Sequence, residues 1–164
     1  MLNNGILTME RHQRIFIKIT ELLQAKLGER IKIYKENGAE YLELTDSIFW
    51  LMIDKSEFTV GYGLNHVHFS ESYNNLEDGI IQAFDLLTNK IKTTEYIKGN
   101  IVFKVTTEIE FSNSQLINIG TSILMFYPFW KKTKTKRITS EKIIEKKEIE
   151  DDVNFILNEN RNQG

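Results

Sequence analysis

The apolar positions of this chain change period several times, and each change marks an element. Ile15, Phe16, Ile19, Leu22 and Leu23 recur at helical spacing. Thr8 before them is an N-cap residue, and Gly28 after them suits a C-cap. Together they predict a helix over 9–27, with Arg11, Arg14, Lys18, Glu21 and Lys26 on its solvent face. The period then shortens. Strands are expected over 30–36, 40–45, 47–53 and 58–62, the last continuing to Phe69. Asn37-Gly38 is a two-residue hairpin turn, because both central positions of such a turn need positive φ. Asp54-Lys55-Ser56 turns the chain again. Gly61 and Gly63 inside a strand-like run signal a bulge or a close backbone approach.

Helical spacing returns with Leu76, Ile80, Ala83, Phe84 and Leu87. Asn74 and Glu77 have the spacing of a capping box, and the helix is expected to end near Asn89. A second block of strands follows over 93–97 and 101–108, joined by Lys98-Gly99-Asn100, then over 115–127 and 134–139. From about residue 140 the chain is charged. Ile149, Val153, Ile156 and Leu157 still carry a helical spacing, which predicts a short C-terminal helix with a frayed end. Strands in two blocks, with helices before and between them, predict a single α+β domain over 1–164. Its sheet is expected to be mostly antiparallel, packed by the N-terminal and central helices. The expected core is Phe16, Ile19, Leu23, Phe49, Leu51, Val60, Ile80, Phe84, Val102 and Ile119.

Composition narrows the class. At 164 residues one domain is the natural size. The net charge of -2 shows no basic excess of the kind a nucleic-acid binder carries. With no cysteine, disulfides, thiolate zinc sites and a cysteine nucleophile are excluded. Residues 1–8 show no signal-peptide pattern, and no apolar run approaches the ~18 residues of a membrane span. These readings lead to an expectation of cytoplasmic residence and of no membrane partner.

Candidate chemistry concentrates at His66-Val67-His68. On a strand, residues two apart point to the same face, so both imidazoles share one. Two histidines could hold a metal, but zinc needs further ligands, which without cysteine must come from His12, a carboxylate such as Glu71, Glu57 or Asp54, or water. An imidazole near neutrality also serves acid–base catalysis, given a pocket and a second group. No nucleophile elbow, phosphate loop or His-Glu-x-x-His is present, and Gly61-Tyr-Gly63 precedes strand where a dinucleotide loop precedes helix. No cofactor or metal is implied. The structural alternative is a pair of half-buried, hydrogen-bonded imidazoles or a partner-binding patch. Phe126, Tyr127, Phe129 and Trp130 stand beside Lys131, Lys132, Lys134, Lys136 and Arg137, a mixture that can bind nucleic acid or anionic surfaces. The plainer expectation is a strand end entering the core, followed by a polar hairpin, with an acidic tail over 145–152 in compensation. Glu36, Glu40, Glu43, Asp46, Asp54 and Glu57 make the first strands acidic. Such a run is usually a solvated face, but it also steers a basic partner.

Gly61, Gly63, His66, His68 and Phe69, followed by the central helix and the Gly99 hairpin, resemble the immunity proteins of bacterial polymorphic-toxin systems. The similarity covers about 58–105. Asn65 departs from it where an aromatic is common, and Ser70 where an acid is common. The resemblance implies a small α+β protein that neutralises a toxin by binding it, without turnover. The expected partner is therefore a protein, the cognate toxin, with a basic contacting face suggested by the acidic first strands; neither nucleic acid nor membrane is expected. His66, His68, Glu36, Glu40 and Glu43 are the candidate contact residues. The alternatives are a small metal- or histidine-dependent enzyme and a non-catalytic domain for another ligand.

Overall fold

The N-terminal stripe forms the helix its spacing dictates. Helix α1 spans Arg11–Leu27 and buries Ile15, Phe16, Ile19 and Leu23. The computed structural model describes residues 9–162, so the expected Thr8 cap lies outside the described residues. Glu10 occupies the cap position, and its N–H donates to Gln13 Oε1 at 3.1 Å. Gly28 closes the helix with φ 55°, and a single turn over Gly28–Arg30 leads into the first strand.

Five strands then meander in sequence order: β1 (Ile31–Glu36), β2 (Ala39–Leu44), β3 (Phe49–Ile53), β4 (Phe58–Tyr62) and β5 (Asn65–Phe69). Every neighbouring pair is antiparallel. Asn37 (φ 51°) and Gly38 (φ 83°) make the first hairpin as expected. The run from Phe58 to Phe69 is two strands, not one. Gly63 takes φ 59°, the conformation needed at the first central position of a tight hairpin, and folds β5 back on β4. Alternation places Leu42, Leu44, Phe49, Leu51, Ile53, Phe58, Val60 and Phe69 on one face, where all are buried. Helices α1 and α2 (Leu76–Thr88) cover that face.

Asn74 does not cap α2. It takes φ 52° in the preceding turn, and Asn75 stands at the cap position. The Asn75 side chain reaches backward, accepting the Ser70 N–H at 2.9 Å and donating to the His68 carbonyl at 3.3 Å. It ties the loop to β5 instead of serving the helix.

The second block forms its own sheet, ordered β8-β7-β6-β9: β6 (Lys90–Lys98), β7 (Ile101–Glu110), β8 (Leu116–Ile123) and β9 (Thr133–Ser140). All pairs are antiparallel, and Gly99-Asn100 joins β6 to β7. The architecture is therefore α+β with two antiparallel sheets. They meet at Asn65, which is 4% exposed. Its Nδ2 donates to Thr107 Oγ1 at 2.7 Å, and its Oδ1 accepts the Ser122 hydroxyl at 2.6 Å. Only the near end of the second sheet joins the core, through Ile91, Ile109 and Thr107. Val102, an expected core residue, lies toward the far end and is 40% exposed, while Ile119 is only partly buried. The other eight expected core residues are buried.

The charged tail folds into α3 (Lys146–Asn162), far longer than the short helix expected. It lies across α1 and α2 and buries Ile149 and Ile156. Lys18 pairs with Glu159, Arg161 with Glu77, and Arg11 Nη2 donates to the Asn160 carbonyl at 2.8 Å. Arg161 holds the Glu77 carboxyl below its ordinary range, chiefly through its hydrogen bonds.

Candidate functional site

The alternation that buries one face of the five-stranded sheet turns the other outward. Register pairs Tyr34 with Tyr41, Glu43 with Trp50, Tyr41 with Met52, Gly61 with His66 and Thr59 with His68. These residues share the face opposite α1 and α2. The Tyr34 and Tyr41 rings stack with centroids 5.1 Å apart. The indole of Trp50 lies flat across Gly61, where an added Cβ would sit 2.0 Å from the ring. Glycine at 61 is the close backbone approach its place in the strand signalled. Trp50 Nε1 donates to the Gly63 carbonyl at 3.0 Å, which fixes the ring.

His66 and His68 stand on this face as expected, both exposed, with ring centroids 5.0 Å apart. His66 also lies against Trp50 at 5.7 Å. His68 Nδ1 lies 2.6 Å from Glu57 Oε1 and 3.1 Å from Thr59 Oγ1. A carboxylate fixing an imidazole is half of an acid–base device. Here it stands on an open sheet surface. The cavity of about 310 Å³ between α1 and the first hairpin is lined by Gln13, Phe16, Lys35, Glu40 and Asp54 and takes neither histidine. Among the described residues, no three His, Asp or Glu side chains are grouped to hold a metal. His12 is buried on α1, its Nε2 3.3 Å from the Asp54 carbonyl.

The acidic residues of the first strands divide. Glu36 and Glu43 share the outer face with the tyrosines, and Glu57 borders it at His68. Tyr34 donates its hydroxyl to Glu43 Oε1 at 2.6 Å, and this bond pushes the phenol up to about 12. Glu40 does not join them. It pairs with Lys35 and Ile53 on the helix side of the sheet, where its carboxylate meets Lys35 Nζ at 3.4 Å. One step in register sends a strand side chain to the other face. Asp46 is held by Arg30 Nη2 at 3.0 Å. Asp54 closes its own turn. Burial pushes its carboxyl up, but hydrogen bonds from Ser56 and Glu57 outweigh this and hold it low.

Tyr41, Trp50 and Met52 on this face belong to no motif. The signal was available: Phe49, Leu51 and Ile53 alternate with Trp50 and Met52, so burying the first set turns the second to the other face, where both are half-buried. The aromatic run after β8 also departs from expectation. The chain leaves the sheet at Ile123, and Met125 (85%), Phe126 (86%), Phe129 (73%) and Trp130 (72%) project outward, where a strand end entering the core was expected. Pro128 has no N–H to extend a strand, and its carbonyl accepts the Lys131 N–H at 3.0 Å in a turn. No family model, curated protein or solved structure matches this chain.

Proposed function

We propose that this protein acts by stoichiometric binding of another protein through the outer face of the five-stranded sheet, in the manner of an immunity protein that blocks a toxin. The observation that carries the reading is that face itself. Tyr34, Tyr41, Trp50 and Met52 lie side by side on paired strands, while α1 and α2 occupy the opposite side. Tyr, Trp and Met are the residue types that interface centres favour, and rigid aromatics lose little conformational entropy on binding. His66 and His68 extend the patch to the β5 edge. Glu36, Glu43 and Glu57 border it and outnumber Lys32, which stands opposite Glu43, so the face suits a basic partner. The resemblance around Gly61, Gly63 and His66–Phe69 supplies the class of partner, a bacterial toxin.

The test is co-expression with the product of the adjacent gene, followed by co-purification and a growth-rescue assay. The expected result is a complex that survives purification and rescue of growth. Reversing Glu36 or Glu43 is expected to slow association and flatten its salt dependence, while reversing Glu40 leaves both unchanged. Neither complex nor rescue, together with turnover of a small substrate by the purified protein, would give the function to the Glu57–His68 pair instead.

A further inference from the structure

The far end of the four-stranded sheet carries a second surface, unlike the first in charge and shape. Residues 124–132 cross this end between β8 and β9. Met125, Phe126, Phe129 and Trp130 are each more than 70% exposed there. The loop is nevertheless pinned. Leu124 N–H donates to the Phe103 carbonyl at 2.7 Å, and Lys98 Nζ donates to the Phe129 carbonyl at 2.7 Å. Tyr127 stacks on Phe103 at 4.4 Å, and Phe129 meets Trp130 edge to face at 5.2 Å. Four large apolar side chains are thus held out into water on an ordered support.

Charge surrounds them on one side of the balance only. Residues 96–107 and 111–140 hold seven Lys and Arg and no Asp or Glu, whereas the whole chain is net -2. Lys131, Lys132, Lys134, Lys136 and Arg137 are all exposed. The nearest acids on these strands are Glu95, 3.9 Å from Lys136, and the pair Glu108 and Glu110 toward the core end.

We propose that this loop is a peripheral docking site for an anionic lipid surface. Trp130, Phe129, Phe126 and Met125 would seat at the headgroup boundary, and the lysines behind them would meet the phosphates. Bulky aromatics at the apex with cations set behind is the arrangement such an interface selects. Nothing in it requires a membrane-crossing helix, and no helix among the described residues is long and apolar enough to be one. The expectation of no membrane partner rested on the lack of a membrane-length apolar run, which does not bear on a surface site built from exposed rings. A second copy meeting it end to end fits poorly, because two cationic ends would face each other. Single-stranded nucleic acid needs open ring faces along a groove. The rings lying along the sheet here, Tyr96, Phe103 and Tyr127, are occupied by one another and by Lys98 and Lys104. This proposal stands apart from the reading of the five-stranded sheet.

The experiment mixes the full chain with unilamellar vesicles of phosphatidylcholine alone or with phosphatidylglycerol added. Co-sedimentation is expected with the anionic vesicles, weakening as salt rises. The chain has two tryptophans, so Trp50→Phe leaves Trp130 as the sole reporter. Its emission is expected to shift to the blue and to resist an aqueous quencher only with anionic vesicles. Phe126→Ser with Phe129→Ser, and separately Lys131→Glu with Lys132→Glu, should each weaken vesicle binding at least tenfold. All four positions are exposed, so circular dichroism should show both variants folded. Three results would overturn the proposal: no binding to anionic vesicles, equal binding to neutral ones, or binding that both variants leave unchanged. Self-association abolished by the same variants, or quenching of Trp130 by oligothymidine in place of vesicles, would assign the loop to a second copy or to nucleic acid.

Discussion

Asn65 shows how a single polar side chain can join two sheets. It is buried, and its amide is shared between Thr107 on β7 and Ser122 on β8. Gly120 lets β8 come this close, since a Cβ there would lie 2.8 Å from the Asn65 Cβ. Replacing Asn65 with Ala leaves the buried Thr107 hydroxyl without this donor, while the Ser122 hydroxyl keeps the Leu64 carbonyl at 3.3 Å. Leaving one buried polar group unpaired costs about 1–3 kcal/mol, so denaturant unfolding should show a drop in that range. An unchanged midpoint would mean that the junction is held elsewhere. Tyr34 offers a spectroscopic check on the outer face. Its phenol is held up to about 12 by the bond to Glu43. A phenol raised above its usual value of 10.0 contributes stability that is complete below pH 10 and lost as pH rises toward 12. Ultraviolet titration should resolve one late-titrating tyrosine in the wild type. In Glu43→Gln that tyrosine should move back toward the ordinary range.

At the level of elements, legibility followed locality. The stripe Ile15, Phe16, Ile19, Leu23 and the pair Ile80, Phe84 were readable because a helix buries its own spacing. Asn37-Gly38 was readable because a two-residue turn is specified by two residues. Asn74 against Asn75 was not, since both can cap and the choice depends on which side chain reaches Ser70 and His68. Helix α3 was underestimated for a related reason. Its charges looked like a solvated tail, yet Glu159, Asn160 and Arg161 meet partners on α1 and the start of α2 that lie far away in sequence. The central helix gives the direct energetic check. Phe84 is 4% exposed and sits in the core that α2 shares with β3 and β4. Phe84→Ala should cost about 3–5 kcal/mol, with a loss below about 1 kcal/mol indicating a different helix register.

Across the whole molecule, two surfaces of opposite character stand on one scaffold. The outer face of the five-stranded sheet is aromatic and bordered by Glu36, Glu43 and Glu57. The far end of the four-stranded sheet is aromatic and basic. The histidine pair was legible in the sequence because alternation fixes its face. Its company was legible only in part: Glu57 stands close in sequence, whereas Trp50 reaches His66 only through strand register. The same register separates Glu40 from Glu36 and Glu43, though all three are neighbours in the chain. The central claim is that the outer sheet face is the protein-binding surface. Its most direct test is titration calorimetry of the purified chain against the purified product of the adjacent gene. Trp50→Ala and Tyr41→Ala should each weaken binding by about 2 kcal/mol or more, as central aromatic anchors do, while Phe126→Ser binds as the wild type does. Undiminished affinity in both face variants, with affinity lost in Phe126→Ser, would contradict the account.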